Sequence, residues 1–519
     1  MTNAVGRFHG GLHLEDHKAC SMQSAIVAAP LPEQLIIPLL QHIGAPLEPL
    51  VKPGDHVFKG QLIADSDANL SAPVHAPSSG TISAIEERSI PHPSGRAEKC
   101  IVIETDGKDE WPGDRQTYKN YQSLSADQLR TIIRQAGIVG LGGAGFPSHI
   151  KLNPGQHQIN TLILNGAECE PYISCDAMLM QERPRDIING LKIIRQTVNA
   201  RQCLIGIEDN KPAAIAALSN CLNDDEKQYI KIITVPTLYP SGGEKQLIKL
   251  LTNLEVPSRQ HPVDVGVVCH NVGTAIAVAD AVIEGIPLIS RTMTITGGAV
   301  NKPANIQSLL GTPMRHLLTA CGLDDHKLQR LIMGGPMMGF EISSMDTPVI
   351  KTTNCLLAMD KQETGEPQTA LPCIRCGECA VVCPAQLLPQ QLYWWAKARD
   401  FDKTQEYNLF DCIECGCCSY VCPSHIPLVH YYRFAKTAIL EEERDRIKSD
   451  RARDRHDFRL LRLERKKQED EERKRKKKEL LKKVNDDKSD SKKSEIEAAL
   501  ERVKAKKQAT RETEQSRDS

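Results

Sequence analysis

The sequence predicts a multidomain α/β protein, and three observations carry that expectation. Short apolar runs alternate with helical patterns between residues 120 and 260. One cysteine spacing is written twice between residues 373 and 423. Beyond Glu441 the composition turns to dense mixed charge. At 519 residues the chain exceeds what one core supports. A formal net charge of −1 offers nucleic acid no general attraction, so no direct nucleic-acid binding is expected. The opening MTNAVGRFHGGLHLEDHK has acids and histidines where a secretory signal needs an apolar core. The longest weakly polar stretch, Val263 to Ile289, is broken by His270, Asn271, Asp280 and Glu284, so no membrane span is expected. Cysteines outside the doubled motif follow no disulfide framework, which suits a reducing cytoplasm.

Residues 30 to 110 contain short β-type runs punctuated by Pro-Gly, Lys-Gly and Ser-Gly turns, in VKPGDHVFKGQLIADSD and SAPVHAPSSGTISAIEER. This segment resembles the barrel-sandwich fold of biotinyl and lipoyl carriers. Those carriers present a modifiable lysine at a hairpin tip. Here Asn69 falls at about that place and no lysine lies between Lys59 and Lys99, so a structural domain without a swinging arm is expected.

From residue 120 the pattern changes. Ser125-Ala126-Asp127-Gln128 has the form of a capping box, opening a helix that ends near Gly137. GLGGAGFPSHIK (140–151) follows, then the strand TLILNGAECEP (161–171) and a helix through Ile187 and Ile194. Strand CLIGI (203–207), an alanine-rich helix, strand IKIITV (230–235) and helix GEKQLIKLL complete the alternation of a parallel α/β domain. Glycines at 140, 142, 143 and 145 would let backbone N–H groups approach a phosphate, although such runs also serve as plain turns.

The doubled motif is C-x2-C-x2-C-x3-C-P: Cys373, Cys376, Cys379 and Cys383, then Cys412, Cys415, Cys418 and Cys422. Three thiolates at these gaps converge on one iron–sulfur cube, and the fourth reaches the neighbouring cluster. Two [4Fe–4S] clusters are therefore expected, one on Cys373, Cys376, Cys379 and Cys422, the other on Cys412, Cys415, Cys418 and Cys383. Structural zinc usually takes two separated pairs, and disulfides require export. Cys417 is expected to be a bystander. The segment reads as an electron relay.

GGAGFP with its following lysine, and then NGAECEP, closely resemble the flavin- and NADH-binding subunit family of respiratory complex I. The resemblance implies that Gly140, Gly142, Gly143, Gly145 and Lys151 hold non-covalent FMN and that Asn165 contacts the flavin. It implies that Glu168 and Glu170 face NAD(H) as the catalytic carboxylates, with Phe146 stacking on the base. Glu244 in YPSGGEKQL and Asn271 in CHNVGTA complete the implied set, with a helix cap and a turn residue as their plain alternatives. Leu141 and Cys169 depart from the relatives, which tend to carry arginine and glycine there. Residues 290 to 350 resemble the β-grasp module that follows the flavin domain in the same relatives.

The whole order resembles the RnfC family of Rnf membrane electron-transport complexes over about residues 5 to 435, with FHGGLHLEDHK and IPLLQHIGAPLEPLVKPGDHV adding to the match. The expected domains are 1–118, barrel-sandwich; 119–260, Rossmann-like FMN/NADH domain; 261–360, β-grasp; 361–438, two-cluster ferredoxin; and 439–519, a charged helical or disordered tail. The tail holds a further capping-box pattern at Ser494/Glu497. The resemblance implies a peripheral component on the cytoplasmic face of a bacterial inner membrane. It would pass electrons between NAD(H), FMN and the clusters of an ion-translocating oxidoreductase. Implied partners are the integral membrane and other subunits of that complex, with a ferredoxin or an iron–sulfur transcription sensor beyond it. The alternatives are a soluble flavin–iron–sulfur NADH dehydrogenase component and an electron-wire scaffold with a degenerate nucleotide site.

Overall fold

Three β-sheets and a cysteine-rich helical module, with a small fourth sheet at the N-terminal end, make up residues up to Lys436, and a helix makes up the rest. The computed structural model describes residues 5–113, 115–366 and 368–515, with side chains to residue 510.

The N-terminal domain is a pair of small antiparallel sheets. One runs in the order Gln34–Pro38, Ala97–Thr105, Gly80–Ser89, His56–Val57, and the other Glu48–Pro49, Leu62–Asp65, Val74–His75. Their inward residues, among them Leu35, Ile37, Ile63, Val74, Ile82 and Ile101, form one core. This is the half-barrel of a barrel-sandwich domain. Asn69 lies between the last two of these strands and is exposed.

The α/β domain is built on four parallel strands in the order Ile230–Val235, Gln202–Glu208, Thr161–Gly166, Val267–Asn271. Near-continuous apolar runs such as Thr161–Gly166 suit strands covered on both faces. Helix Ala126–Gln135 starts where its capping box requires: Ser125 accepts from Gln128 N, and the Gln128 side chain accepts from Ser125 N. Helices Pro184–Val198 and Val272–Ile283 cross so closely that a Cβ on Gly190 would strike the Ala275 carbonyl, which explains a glycine inside a helix. The sheet continues past residue 260, where the domain was expected to end. Its fourth strand, Val267–Asn271, comes last in the chain yet pairs with the first, Thr161–Gly166. The strand order therefore reverses between these two, and the crevice beyond their carboxyl ends is where such sheets take ligands.

A mixed six-stranded sheet follows, in the order Val27–Ala28, Ala304–Leu309, Ser290–Thr296, Cys355–Met359, Arg330–Met333, Phe340–Glu341. Its outermost strand comes from the N-terminal segment, which the sequence pattern did not signal.

In the cysteine module the backbone repeats itself at a 39-residue offset. Arg375 and Glu414, Gly377 and Gly416, and Gln386 and His425 all have positive φ. The two glycines, at φ +87° and +82°, open the short helices Glu378–Val381 and Cys417–Tyr420.

The unit from Thr437 onward is helical through Gln515, within the element Leu428–Gln515. Ser494 lies inside this helix, so the Ser494/Glu497 pattern caps nothing: local cap signals lose when the surrounding charges favour continuing the helix. No helix among the described residues is long and apolar enough to cross a membrane.

Candidate functional site: a cleft at the sheet switch point and two thiol cavities

At the carboxyl ends of strands Thr161–Gly166 and Val267–Asn271, Asn165 and Asn271 are register partners. Above them opens a cleft of about 780 Å³, within the usual range for ligand sites. The glycine-rich loop forms one wall. Gly140, Gly142 and Phe146 line the cleft, and Gly140 N donates to the Phe146 carbonyl at 2.8 Å, which closes the loop on itself. Gly143 has φ +113°, and an added Cβ would meet nothing within 4 Å. Gly145 does a different job. It packs against His42 and Thr352, where a Cβ would approach Thr352 Cγ2 to 2.7 Å, and its carbonyl accepts from Ile43 N.

Lys151 and Glu244 line the cleft and meet at 2.6 Å between Nζ and Oε1. Asn165 donates to the Gly242 carbonyl at 2.8 Å and accepts from Ala167 N. Asn271 is the N-cap of helix Val272–Ile283: its Oδ1 accepts from Gly273 N, and its Nδ2 donates to Asp176 Oδ2 at 2.5 Å. Both asparagines thus fix the strand ends.

Glu168 and Glu170 also line the cleft, and both are held by backbone donors. The Glu168 carboxylate accepts from Asp176 N (2.7 Å) and Ala177 N (3.2 Å) at the start of helix Cys175–Glu182. The Glu170 carboxylate accepts from Met337 N and Met338 N. Burial outweighs these bonds and pushes both carboxyls up to about 7. Burial likewise lifts the neighbouring Cys169 thiol to about 12, which keeps it a neutral thiol, and Gly242 N donates to its sulfur. Among the described residues, three buried polar atoms on cleft-lining side chains have no partner: Asp176 Oδ1, Gln246 Oε1 and His270 Nε2. Such atoms call for a ligand or water.

Several of these contributors were not singled out from sequence. The N-terminal arm brings Arg7, Phe8 and His9 to the cleft. His9 Nδ1 donates to the Cys383 carbonyl at 3.1 Å, and Gly11 N to the Val382 carbonyl. Lys18, buried, donates to the carbonyls of Glu168, Glu170 and Ile173. Tyr239 lines the cleft and donates through its hydroxyl to the Cys415 carbonyl at 2.6 Å. FHGGLHLEDHK was the available signal, since paired glycines beside basic residues suggest close backbone approach. Gly10 and Gly11 have positive φ, and a Cβ on Gly10 would collide with Val382.

The cysteine module contains two cavities. Cys383, Cys412, Cys415 and Cys418 line one, and Cys373, Cys376, Cys379 and Cys422 line the other, so each motif lends its last cysteine to the other's cavity. Cys417 is buried and also lines the first cavity. Pro384, Ala385 and Ile413 line both that first cavity and the large cleft, and Tyr239, Cys415, Cys417, Met337 and Val382 pack together beside them. The second cavity shares no lining residue with the cleft and includes Cys376, which is exposed.

Comparison with known proteins matches three stretches of the chain to described families. Residues 6–108 match the RnfC barrel sandwich hybrid domain, residues 133–280 the Nuo51 FMN-binding domain, and residues 372–426 the 4Fe-4S dicluster domain. A solved NAD+-reducing [NiFe]-hydrogenase in the air-oxidized state has a TM-score of 0.42 to this chain, at 19% identity over 55% of each chain. The RnfC protein of the ion-translocating oxidoreductase complex of Pseudomonas aeruginosa is 50% identical over 465 residues, 89% of this chain and 59% of that protein. The chain thus spans about three fifths of that relative's length. The corresponding protein of Pectobacterium atrosepticum is 46% identical over 505 residues, 97% of this chain and 71% of the relative. With the FMN-binding and dicluster domains matched in order behind the barrel-sandwich domain, the chain belongs to the RnfC family of ion-translocating oxidoreductase complexes.

Proposed function

We propose that this chain is the NAD(H)-linked electron-transfer component of an Rnf-type complex, docked to integral membrane and other subunits at the cytoplasmic side of the inner membrane. The observation that carries the reading is the shared wall: Pro384, Ala385 and Ile413 belong both to the cleft and to the cavity of Cys383, Cys412, Cys415 and Cys418.

The residues present fit the cofactors of the matched domains. Gly143 leaves room where a phosphate would approach, Lys151 offers a point charge, and the unpartnered Gln246, His270 and Asp176 atoms await polar groups. Gly140, Gly142, Gly145 and Phe146 shape the loop, and Asn165, Asn271 and Glu244 border it. Bound FMN would turn two-electron hydride chemistry into single-electron transfers of the kind [4Fe–4S] clusters accept. Each thiol cavity offers four sulfurs, the donor set of one cubane. Glu168 and Glu170 anchor the loop against which NAD(H) would lie. Tyr239 and the N-terminal arm keep the first thiol cavity against the cleft. The exposed Cys376 edge places the second cavity toward onward partners, a ferredoxin or a transcription sensor among them. Residues 290–359 act as a β-grasp spacer between the flavin and cluster domains. In this reading the domains run as expected from the sequence, with the flavin domain extended to about residue 283.

Anaerobically prepared protein should hold about eight iron and eight sulfide. Cys422→Ala should perturb the EPR signal of the cluster on Cys373, Cys376 and Cys379, and should leave the cluster nearer the cleft in place. In stopped-flow absorbance with NADH, flavin bleaching should precede cluster bleaching, and the Cys422 variant should still reduce flavin. Protein that binds FMN yet reacts with neither NADH nor NADPH would end the enzyme reading.

A further inference from the structure

Beside the glycine-rich loop, Glu168 and Asp176 form a buried carboxyl pair. Their ligand oxygens and the Cys175 sulfur lie within 4.8 Å of one another. Both Glu168 oxygens are taken by backbone N–H groups, and Asp176 Oδ2 is taken by Asn271. Asp176 Oδ1 accepts nothing, although the side chain is 9% exposed and borders the cleft.

Among the described residues, every cation facing the pair is committed elsewhere. Lys18, from the N-terminal arm, donates to three carbonyls. Lys211, ahead of helix Pro212–Cys221, holds Glu208 and the Ala167 carbonyl. Arg291, from strand Ser290–Thr296, holds the carbonyls of Leu141 and Thr353. Glu170 and Glu208 add negative charge nearby. Burial keeps the Cys175 thiol far above its ordinary range, so it remains neutral. Two adjacent carboxylates with no direct cation partner do not both ionise in such a place.

We infer that Glu168 and Asp176 share one proton at neutral pH, carried on Asp176 Oδ1, which makes Asp176 a hydrogen-bond donor into the cleft and a one-proton store for redox change there. The inference rests on the reading that FMN occupies this cleft. Burial raises both groups, Glu168 to about 7, in keeping with one retained proton. A hydride from NADH brings two electrons and one proton, so the site gains one negative charge. Asp176 can offset it: the O–H bond breaks, its electron pair stays on Oδ1, and the proton passes to the ligand. The carboxylate left behind keeps the Asn271 bond and the field of Arg291. A solvent proton restores the pair once the electrons have left through the clusters.

Infrared difference spectroscopy of the full chain tests this with and without FMN. Wild-type protein free of FMN should show a protonated-carboxyl band at pH 7 that shifts in heavy water and on incorporation of carbon-13 aspartate. Asp176→Asn should remove the band, and Glu168→Gln should move its titration to lower pH. With FMN bound, the reduced-minus-oxidised spectrum should show this band lost and a carboxylate band gained. A wild-type protein without the band, or a band that follows labelled glutamate, overturns the inference, and the isotope labels decide this even if a variant misfolds. A band that reduction leaves untouched overturns the proton store. If no FMN binds, the proposed function falls with the store, while the spectrum without FMN still decides the shared proton.

Discussion

Gly143 and Lys151 are the residues on which flavin binding turns most directly. Gly143 occupies a backbone region that side chains rarely adopt, yet nothing in the protein fills the space a Cβ would take. A valine there faces both strain and the room meant for phosphate. Gly143→Val should abolish FMN uptake, read from flavin absorbance, with iron content unchanged. Lys151 is partly exposed and shared with Glu244, so its charge is screened. Lys151→Ala should weaken FMN binding by about 1.5–3 kcal/mol, the range for hydrogen bonds to charged partners. An affinity unchanged by titration would remove the lysine from the phosphate site. Glu168 and Glu170 show how far a residue's identity falls short of its role. Each lines the cleft, but each spends its carboxylate on backbone N–H groups that organise the loop.

At the scale of elements, the N-terminal arm binds the molecule together. It supplies the strand Val27–Ala28 to the six-stranded sheet, pairs Leu12 with Tyr239, and reaches the Cys383 carbonyl through His9. Lys18 is its anchor. Lys18→Met would leave three carbonyls of the 168–173 loop without their donor, and a buried acceptor so stranded costs about 1–3 kcal/mol. Amide hydrogen exchange across residues 167–177 should quicken, and thermal stability should fall, while exchange in the barrel-sandwich strands stays as it was. Equal exchange in both proteins would show that the arm is a passenger.

For the whole molecule, the order of cleft, first thiol cavity and second thiol cavity is set within the unit that ends at Lys436. The start of the last helix belongs to that unit. Tyr432 donates to the Pro389 carbonyl, Lys436 to the Cys412 carbonyl, and Arg433 and Lys436 pair with Glu414. A chain ending near residue 445 keeps all of these. It should retain both clusters, FMN uptake and the melting temperature of the full chain, measured by iron content, absorbance and calorimetry. Loss of either cluster would assign the charged helix a part in folding. Its surface ion pairs at helical spacing, such as Arg465 with Glu469, support the helix only weakly.

The sequence by itself determined whatever depends on neighbours along the chain. The cysteine spacing set which thiols meet in each cavity, because ligand geometry within one loop is local and the last cysteine of each motif has one place to go. Ser125 and Gln128 marked a helix start for the same reason, and the apolar runs marked strands. Only the tertiary structure decided what those parts face. Asn271 stands beside Asn165 because the fourth strand pairs with the first, a register no local pattern encodes. Glu170 finds its donors at Met337 and Met338, and Lys18 its acceptors in the 168–173 loop, across separations of some 150 residues or more. Gly145, one of four glycines in a single run, serves the barrel-sandwich contact rather than the cleft wall. The 494–497 pattern, sound as a local cap, was overridden by a continuous helix. Short-range chemistry specifies the pieces, whereas burial and long-range pairing choose which polar groups are left free to act.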